Sequence, residues 1–204
     1  NLLLDRGLPL KLKTVVMQWN VHEFYAIKAF ASDLGVDFRY DPFLVGGMDG
    51  TQTPFSQRLT PEEVVALERP NLQLQEEMRS MLERSAGTEP NHRLYKCGAA
   101  VNSFHIYPYG QLHPCLLSRA QGFDLRKGTF SEGWTDFLQQ VRSQPARQGS
   151  RCDQCDLLIL CGQCPAKSYL ENGDQYEPVD YFCKVGHLRA AALREIKPEI
   201  LKEH

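Results

Sequence analysis

Four cysteines lie within a short segment of this chain, CDQCDLLILCGQC, which runs from Cys152 to Cys164. Three more occur at Cys97, Cys115 and Cys183. The spacing C-x2-C-x5-C-x2-C forms two turns, and in each turn a pair of thiolates is able to converge on one metal centre. We therefore expect these cysteines to bind metal rather than to serve as small buried hydrophobic residues.

The number of cysteines leaves two kinds of centre open. A structural zinc site closes with four ligands, so seven cysteines give one full site and leave three, unless His113 or His105 completes a Cys3His site. An iron-sulfur cubane held by three cysteines leaves one iron open to water, substrate or another donor. Spacing and number alone therefore favour iron-sulfur over zinc by a small margin.

The composition describes a globular chain with no strong electrostatic preference. Its 204 residues, 42% of them hydrophobic, suffice for one good core or two small ones. A net charge of -2 gives no general reason to expect nucleic acid or an anionic membrane as a partner. No apolar run reaches the roughly 18 to 20 residues of a membrane span, and the first residues given lack the basic, apolar, small-residue order of a secretory signal. We therefore expect a cytoplasmic protein, where reducing conditions favour metal ligation over disulfides.

The first 96 residues contain no cysteine and alternate strand and helix patterns. Residues 10–18 predict a buried strand. Asn20 and Glu23 predict the capped start of a helix that Gly35 ends, and residues 36–40 predict a second strand. Such a βαβ unit normally makes a right-handed crossover and a parallel strand pair.

A parallel pair needs both faces covered and more neighbouring strands than this region supplies. We therefore expect residues 1–45 to be the tail of a larger α/β sheet or barrel. The chain also begins with Asn1 rather than Met, which favours a fragment of a longer protein.

Helical patterns dominate the middle of the chain. Residues 43–58 predict a loop, and Thr60 with Glu63 forms a capping-box pattern that opens a helix. Pro70 interrupts this helix, which resumes over residues 71–85.

The cysteine-rich part predicts a hairpin and two further helices. Residues 101–107 and 111–113 flank a turn of type Pro-Tyr-Gly, which predicts a strand-turn-strand unit. The first helix is predicted from an apolar face with helical spacing that comprises Trp134, Phe137, Leu138 and Val141. A last helix is predicted over residues 180–196, with Tyr181, Val185, Leu188 and Ala192 on one side.

Two stretches resemble a known family: CGAAVNSFHIYPYGQLHPC, and CDQCDLLILCGQCPAKSYLENGDQYEPVDYFC. They are similar to the SPASM domain, the seven-cysteine C-terminal extension of many radical S-adenosylmethionine (radical SAM) enzymes. All seven cysteines and Gly110 fit the family's spacing. Pro165 and the aromatic pair before Cys183 also fit the family's usual sequence pattern. The stretches VVMQWN, FRYDP, MDG and RLTPEE resemble the last strands and the linker of the partial TIM barrel that precedes this domain in peptide-modifying members.

The resemblance implies a fold and a division of the chain. Residues 1–60 would be an α/β remnant of the partial TIM barrel, comprising its last βα units. Residues 61–95 would be a helical linker. Residues 96–204 would form a small α+β SPASM domain with a β-hairpin, cysteine-rich loops and helices.

The resemblance also implies two auxiliary 4Fe-4S clusters. The ligands of the fully ligated auxiliary cluster II would be Cys152, Cys155, Cys161 and Cys183. The ligands of auxiliary cluster I would be Cys97, Cys115 and Cys164, with a fourth iron that is open or held by an unidentified group. Spacing alone would instead place Cys161 and Cys164 on one centre, so this division rests on the resemblance.

The implied activity is post-translational modification of a peptide or protein substrate. Radical SAM catalysis needs a C-x3-C-x2-C loop for the cluster that cleaves S-adenosylmethionine, and no cysteine precedes Cys97. The chain alone is therefore not expected to form the 5'-deoxyadenosyl radical. The full-length parent would carry S-adenosylmethionine and a third 4Fe-4S cluster, with flavodoxin or ferredoxin as electron donor.

Several other residues have both a functional and a structural interpretation. Asn20 resembles the asparagine with which family members approach S-adenosylmethionine, but it also suits a helix N-cap. Segment 39–41 follows a strand and either lines a substrate cavity or is solvated. His113 is the best noncysteine ligand candidate, ahead of His105.

Three cations lie beside expected ligands: Arg151, Lys167 and Lys184. They either offset the negative charge of the clusters or occupy ordinary surface positions. Gly162 is expected in a tight turn between Cys161 and Cys164.

Two alternatives stay open. A noncatalytic zinc module would use the same cysteine turns to fold a small interaction domain. A ferredoxin-like electron carrier is less favoured, because its ligand spacing is absent and the βαβ pattern is present.

Overall fold

The computed structural model describes residues 2–86, 92–152 and 155–195. The predicted end of the last helix at Ile196 lies outside the described residues, as do parts of the predicted linker and SPASM ranges. Across the described ranges, no helix combines the length and the apolar character that a membrane crossing requires.

The predicted strand-helix-strand unit is confirmed. Strand β1 (Lys11–Val15), helix α1 (Phe24–Asp33) and strand β2 (Asp37–Asp41) follow one another. The two strands pair in parallel, with Lys11 opposite Asp37 and Val15 opposite Asp41. Within the part of the chain that the structure describes, β1 and β2 form a two-stranded sheet.

The predicted start of α1 is wrong. A 3-10 turn, Val21–Glu23, precedes α1, and Asn20 makes no side-chain capping bond. Its carboxamide instead accepts the Met17 N–H at 2.9 Å and donates to the Val15 carbonyl at 3.0 Å. Asn20 therefore braces the turn that leaves β1, because the amide satisfies one backbone donor and one acceptor there.

The predicted end of α1 at Gly35 is confirmed. The Gly35 N–H bonds to the Ser32 carbonyl and the Val36 N–H bonds to the Ala31 carbonyl, at 2.9 and 3.1 Å. These paired bonds are the Schellman motif, which directs the chain from α1 into β2.

The middle helices also match their sequence signals. Helix α2 (Pro61–Glu68) begins with a capping box, in which Thr60 accepts the Glu63 N–H at 3.2 Å and Glu63 accepts the Thr60 N–H at 2.7 Å. Helix α3 (Leu72–Ser85) follows the break at Pro70, and the side chain of Asn71 caps its first turn.

The predicted hairpin is confirmed and extended. Strands β3 (His105–Ile106), β4 (Gln111–His113) and β5 (Phe123–Asp124) form an antiparallel sheet in that order. The sequence analysis missed β5, which has only two residues.

The predicted helix with the Trp134 face is confirmed, but it is not uniform. Helix α4 (Phe130–Glu132) passes through a π-helical turn (Gly133–Phe137) into helix α5 (Leu138–Ser143).

Three helices complete the described fold. They are α6 (Leu158–Cys161), α7 (Pro165–Asn172) and α8 (Asp180–Glu195). On the predicted face of α8, Val185 and Ala192 are buried, whereas Tyr181 and Leu188 are half-buried. Phe182, which lies outside that face, is fully buried.

The βαβ unit and the cysteine-rich region share one hydrophobic core. Val16, Phe24, Leu59 and Val64 pack together with Val185 of α8. A second core joins α3, α6 and α8 and comprises Met78, Leu160, Ala190 and Leu193. Helix α8 therefore connects the sheet of β1 and β2 to the short helix that ends at the cysteines.

Two ion pairs with little exposure reinforce this connection. Arg58 and Glu171 approach to 2.6 Å, and their side chains are 9% and 5% exposed. Arg189 of α8 bonds Glu68 of α2 at 2.8 Å and also donates to the Leu160 carbonyl in α6. Breaking a buried pair by removing one partner typically costs about 3–5 kcal/mol.

Candidate metal centre

Helix α6, the turn after it and helix α7 position two of the cysteines. Cys161 is the last residue of α6 and Cys164 is the N-cap of α7. Between them, Gly162 has φ +73, and the Phe43 ring lies 3.2 Å from the place where a Cβ would be. The predicted need for glycine is therefore confirmed, since a side chain would face both a left-handed backbone and an aromatic ring.

The four cysteines Cys152, Cys155, Cys161 and Cys183, named here the four-cysteine group, line one common cavity. They come from three elements: the loop before α6, the end of α6 and the first turns of α8. Leu157, Leu158 and Val179 contribute apolar lining beside the thiols. These four cysteines are the ones that the resemblance assigns to a single cluster.

Gly186 explains how α8 brings Cys183 to Cys161. A Cβ at Gly186 would lie 2.7 Å from the Cys161 Cβ and 3.1 Å from its Cα. The missing side chain therefore lets α8 approach the end of α6 more closely than any other residue would allow. The sequence analysis missed Gly186, although a glycine inside a helix costs about 1 kcal/mol relative to alanine and thus points to a packing reason.

The surroundings of two members of the four-cysteine group, Cys152 and Cys161, favour the protonated thiol. Burial, followed by the charges of Cys161, Cys155 and Cys183, raises the pKa of Cys152 to about 11. Burial also raises the pKa of Cys161. Because metals bind thiolates, loading this group must release protons, and metal affinity must rise with pH.

Hydrogen bonds from backbone N–H groups lower the pKa of Cys161 and Cys164 and so oppose the effect of burial. The Gln163 N–H donates to the Cys161 Sγ at 3.3 Å, and the Lys167 N–H donates to the Cys164 Sγ at 3.4 Å. Such bonds favour the charged sulfur, and in iron-sulfur proteins they are one of the determinants of reduction potential.

The remaining cysteines, Cys97, Cys115 and Cys164, are named here the three-cysteine group. Cys97 is exposed, whereas Cys115 and Cys164 are partly exposed. Cys115 packs on a core that includes Tyr95. Cys164 has a raised pKa because of burial, with a further contribution from Cys115.

Tyr95 is a buried tyrosine near the three-cysteine group. It is 3% exposed, and its hydroxyl bonds the buried Ser118 hydroxyl across 3.3 Å. Burial raises the pKa of Tyr95 to about 12, and the charges of Cys115, Cys164 and Cys97 add to the increase. The phenol therefore lies within electrostatic reach of all three thiols, a feature that the sequence analysis missed.

The C-x2-C spacing alone places Cys161 and Cys164 on one centre, whereas the resemblance assigns them to different clusters. Cys161 lines the cavity of the four-cysteine group, and Cys164 is not among the residues that line it. Within residues 2–86, 92–152 and 155–195, no three His, Cys, Asp or Glu side chains gather closely enough to hold a single metal ion.

The candidate residues at the ends of β1 and β2 mostly contact the protein itself. Asn20 uses its carboxamide on the backbone near β1. Arg39 is exposed, and Tyr40 packs on Phe24 with 4.9 Å between ring centroids. Asp41 accepts the Phe43 N–H at 3.1 Å. The proposed roles of Asn20 toward S-adenosylmethionine and of residues 39–41 toward substrate stay predictions.

The two candidate histidines lie in the small antiparallel sheet, where His105 of β3 pairs with His113 of β4. His113 is 7% exposed, and burial lowers its pKa. Its ring packs edge-on against Tyr107 at 4.9 Å. Ligation by either histidine stays a prediction.

A histidine that the sequence analysis missed, His187, lies one helical turn after Cys183 and lines the cavity of the four-cysteine group.

The three cations beside the cysteines differ in their surroundings. Lys184 is exposed and pairs with Glu62 at 2.7 Å. Arg151 lines the cavity of the four-cysteine group and pairs with Asp180, an exposed partner. Lys167 is half-buried, and its ammonium donates to the Gly162 carbonyl at 2.8 Å. Burial lowers the pKa of Lys167, whereas the Cys164 charge raises it.

No protein-family model matches this chain, and no curated protein shows significant similarity to it.

Proposed function

We propose that this chain is the auxiliary-cluster part of a radical SAM enzyme that modifies a peptide or protein, and that its cysteines hold two 4Fe-4S clusters. The observation that carries the proposal is the cavity of the four-cysteine group. Three thiols from one short segment and a fourth, Cys183, from helix α8 line one space, as a cubane with four cysteine ligands requires.

The donor set fits an iron-sulfur cluster. It consists of sulfur donors among apolar side chains, and the backbone N–H of Gln163 is directed at one of the sulfurs. When bound, such a cluster supplies one-electron transfer. The chain itself supplies thiolates, limits the access of water through Leu157, Leu158 and Val179, and orients Cys183 through α8.

The three-cysteine group is the proposed site of the second cluster. Three thiolates leave one iron without a cysteine, and Cys97 is exposed. An open iron beside an exposed ligand suits direct contact with substrate or relay of an electron to an outside donor such as flavodoxin or ferredoxin.

The βαβ unit is the proposed end of a partial TIM barrel, and the cytoplasm is the proposed location. The resemblance of residues 1–60 supports this assignment, and the parallel pairing of β1 with β2 is compatible with it. The reductive cleavage of S-adenosylmethionine is assigned to a C-x3-C-x2-C loop, which the sequence given does not contain. Asn20 would lie at the barrel face that binds S-adenosylmethionine.

A noncatalytic zinc module is the second candidate, because paired cysteine turns also suit tetrahedral zinc. The two proposals predict different metal contents. Anaerobic purification is expected to give a brown protein with about eight irons and about eight sulfides per chain, since each cubane contains four of each. A colourless protein that holds one or two zinc ions and folds normally would reject the cluster proposal.

The matched control for that experiment is a pair of serine variants. Cys155→Ser is expected to reduce iron to about half, because it disrupts only the cluster of the four-cysteine group. Cys115→Ser is expected to remove the other half. Equal loss of all metal from both variants would contradict two separate centres.

A further inference from the structure

The three cations that flank the cysteines are not equivalent in the folded chain. Lys184 and Arg151 have exposed side chains, 58% and 50%, and each pairs with a carboxylate. Water and the paired carboxylate screen both charges, so each acts on a nearby centre more weakly than an enclosed cation would. Lys167 is enclosed by the protein instead.

Two aromatic rings and one carbonyl enclose the Lys167 ammonium. The Nζ lies 4.8 Å from the Phe43 ring centroid and 4.6 Å from the Phe182 ring centroid. Phe182 is fully buried, so this side of the ammonium is shielded from water. The only hydrogen bond described for the ammonium goes to the Gly162 carbonyl, at 2.8 Å.

These contacts leave the charge of Lys167 without an anion in direct contact. Among residues 2–86, 92–152 and 155–195, no carboxylate lies within ion-pair distance of Lys167. An ammonium has three donors, and a shielded cation is costly unless negative charge lies nearby. The ring faces supply part of this stabilisation.

Thiolates that a metal centre would create supply negative charge close to this cation. Burial lowers the pKa of Lys167, and the charges of Cys164, Asp41 and Cys161 oppose this lowering. Gly162, which accepts the ammonium's hydrogen bond, follows Cys161 of the four-cysteine group directly. The backbone N–H of Lys167 meanwhile donates to Cys164 of the three-cysteine group at 3.4 Å. One enclosed cation thus lies at the junction of the two groups.

We propose that Lys167 is an electrostatic positioning residue shared by both centres, which raises the reduction potential of each. This inference rests on the proposed function, since it requires two bound clusters. Reduction adds one negative charge to a cluster, and a fixed cation in a poorly hydrated site favours the more negative state. Losing that cation must therefore shift both reduction equilibria toward the oxidised form.

The test is an anaerobic redox titration of the full chain, followed by electron paramagnetic resonance. Lys167→Gln is expected to lower the reduction equilibrium constant of both clusters about tenfold, which corresponds to about 59 mV for one electron. Lys167→Arg keeps the charge and is expected to restore most of the shift. Lys184→Gln, the matched control, lies beside a ligand in sequence but is exposed, and it is expected to leave both potentials unchanged.

The outcomes separate this inference from the proposed function. A wild-type protein without cluster signals defeats the proposed function and, with it, the inference. Intact clusters whose potentials are the same in wild type and Lys167→Gln defeat only the inference. A shift that Lys184→Gln reproduces in full would also overturn it, because exposed charge would then suffice.

A second variant tests the inference if position 167 does not tolerate substitution. Phe43→Leu keeps the cation but opens its enclosure to water, which weakens its field. It is expected to lower both equilibrium constants by about two- to fivefold, a smaller shift than loss of the charge. Unchanged potentials in a folded, cluster-loaded Phe43→Leu protein would contradict the inference.

Discussion

The two groups of cysteines are built in different ways. The four-cysteine group lies around one cavity between α6, α8 and the loop before α6, and apolar side chains complete its lining. The three-cysteine group draws its members from a loop, from the chain after β4 and from the N-cap of α7, with Tyr95 within reach of all three. The first arrangement suits a centre in which every iron has a cysteine ligand. The second suits a centre in which one iron is open to another ligand.

This difference indicates a division of roles under the proposed function. A closed centre with four thiolates exchanges electrons but offers no free coordination position. A centre with three thiolates, one of them exposed, offers such a position to substrate or to another donor. The contrast also predicts that loss of a cysteine ligand from one group leaves the cluster of the other group in place.

The largest expected effect is loss of a whole cluster. Cys183→Ser removes one of the four thiols that line the cavity, and iron and sulfide are expected to fall to about half. Cys97→Ser, its counterpart in the three-cysteine group, removes an exposed ligand and is expected to spare the cluster of the four-cysteine group. Loss of all iron in both variants would show that the groups do not load independently.

The second prediction concerns the ion pair behind the four-cysteine group. Arg189→Met leaves Glu68, which is 3% exposed, without its cation, and also removes a donor to the Leu160 carbonyl next to Cys161. The free energy of unfolding of the metal-free chain is expected to fall by about 3–5 kcal/mol, measured by urea denaturation. The exposed pair gives a control, since Lys184→Met should cost less than about 1 kcal/mol.

Arg189→Met also tests whether the two groups of cysteines respond separately to a mutation. Because Arg189 holds the end of α6, its loss is expected to speed the alkylation of Cys161 while Cys115 reacts as before. Mass spectrometry of the labelled, metal-free protein measures both rates. Equal acceleration at Cys161 and Cys115 would mean that the two groups respond as one unit.

The third prediction concerns the close approach of α8 to α6. Gly186→Ala places a methyl group 2.7 Å from the Cys161 Cβ, so the helices must separate. Overpacking of this kind costs about 1–3 kcal/mol, which outweighs the gain in helix propensity of up to about 1 kcal/mol. Ala191→Val enlarges an exposed position of the same helix and is expected to change stability by less than about 1 kcal/mol.

A functional measurement accompanies this third prediction. A chelator is expected to remove iron from the cluster of the four-cysteine group faster in Gly186→Ala than in the wild type. A Gly186→Ala protein that is more stable than the wild type and keeps its iron longer would refute the role given to this glycine.

The smallest effect is expected from removing the Tyr95 hydroxyl. Tyr95→Phe removes the hydroxyl that bonds Ser118 and is expected to cost about 1 kcal/mol of unfolding free energy. It is also expected to alter the paramagnetic resonance signal of the three-cysteine centre alone. Tyr109→Phe, at a position 81% exposed, is the control. A change confined to the four-cysteine centre would argue against the position assigned to Tyr95.

The local fold was predictable where sequence signals act over a few residues. The Thr60 capping box, the stop at Gly35 and the hairpin around Gly110 depend on short-range hydrogen bonds and turn geometry. The parallel pairing of β1 with β2 joins residues 26 positions apart, but the strand-helix-strand order predicts it. Asn20 was mispredicted because an asparagine before a helical pattern has several backbone partners to choose from, and here it bonds Val15 and Met17.

The candidate site was predictable in its residue types but not in its assembly. Spacing predicts the cysteines as metal ligands, and only the family resemblance divides them into four and three. The contacts of Gly186 with Cys161 and of Tyr95 with Ser118 join residues far apart in sequence, so no local pattern reveals them. The enclosure of Lys167 likewise depends on the rings of Phe43 and Phe182, which lie in other parts of the sequence.

The central claim is that sulfide-bridged iron occupies the space between these thiols. Mössbauer spectroscopy of the full chain, reconstituted anaerobically with isotopically enriched iron, measures this most directly. The account predicts the doublets of 4Fe-4S clusters, accounting for nearly all of about eight irons per chain. A preparation that folds normally around zinc and shows no cubane signal would contradict it.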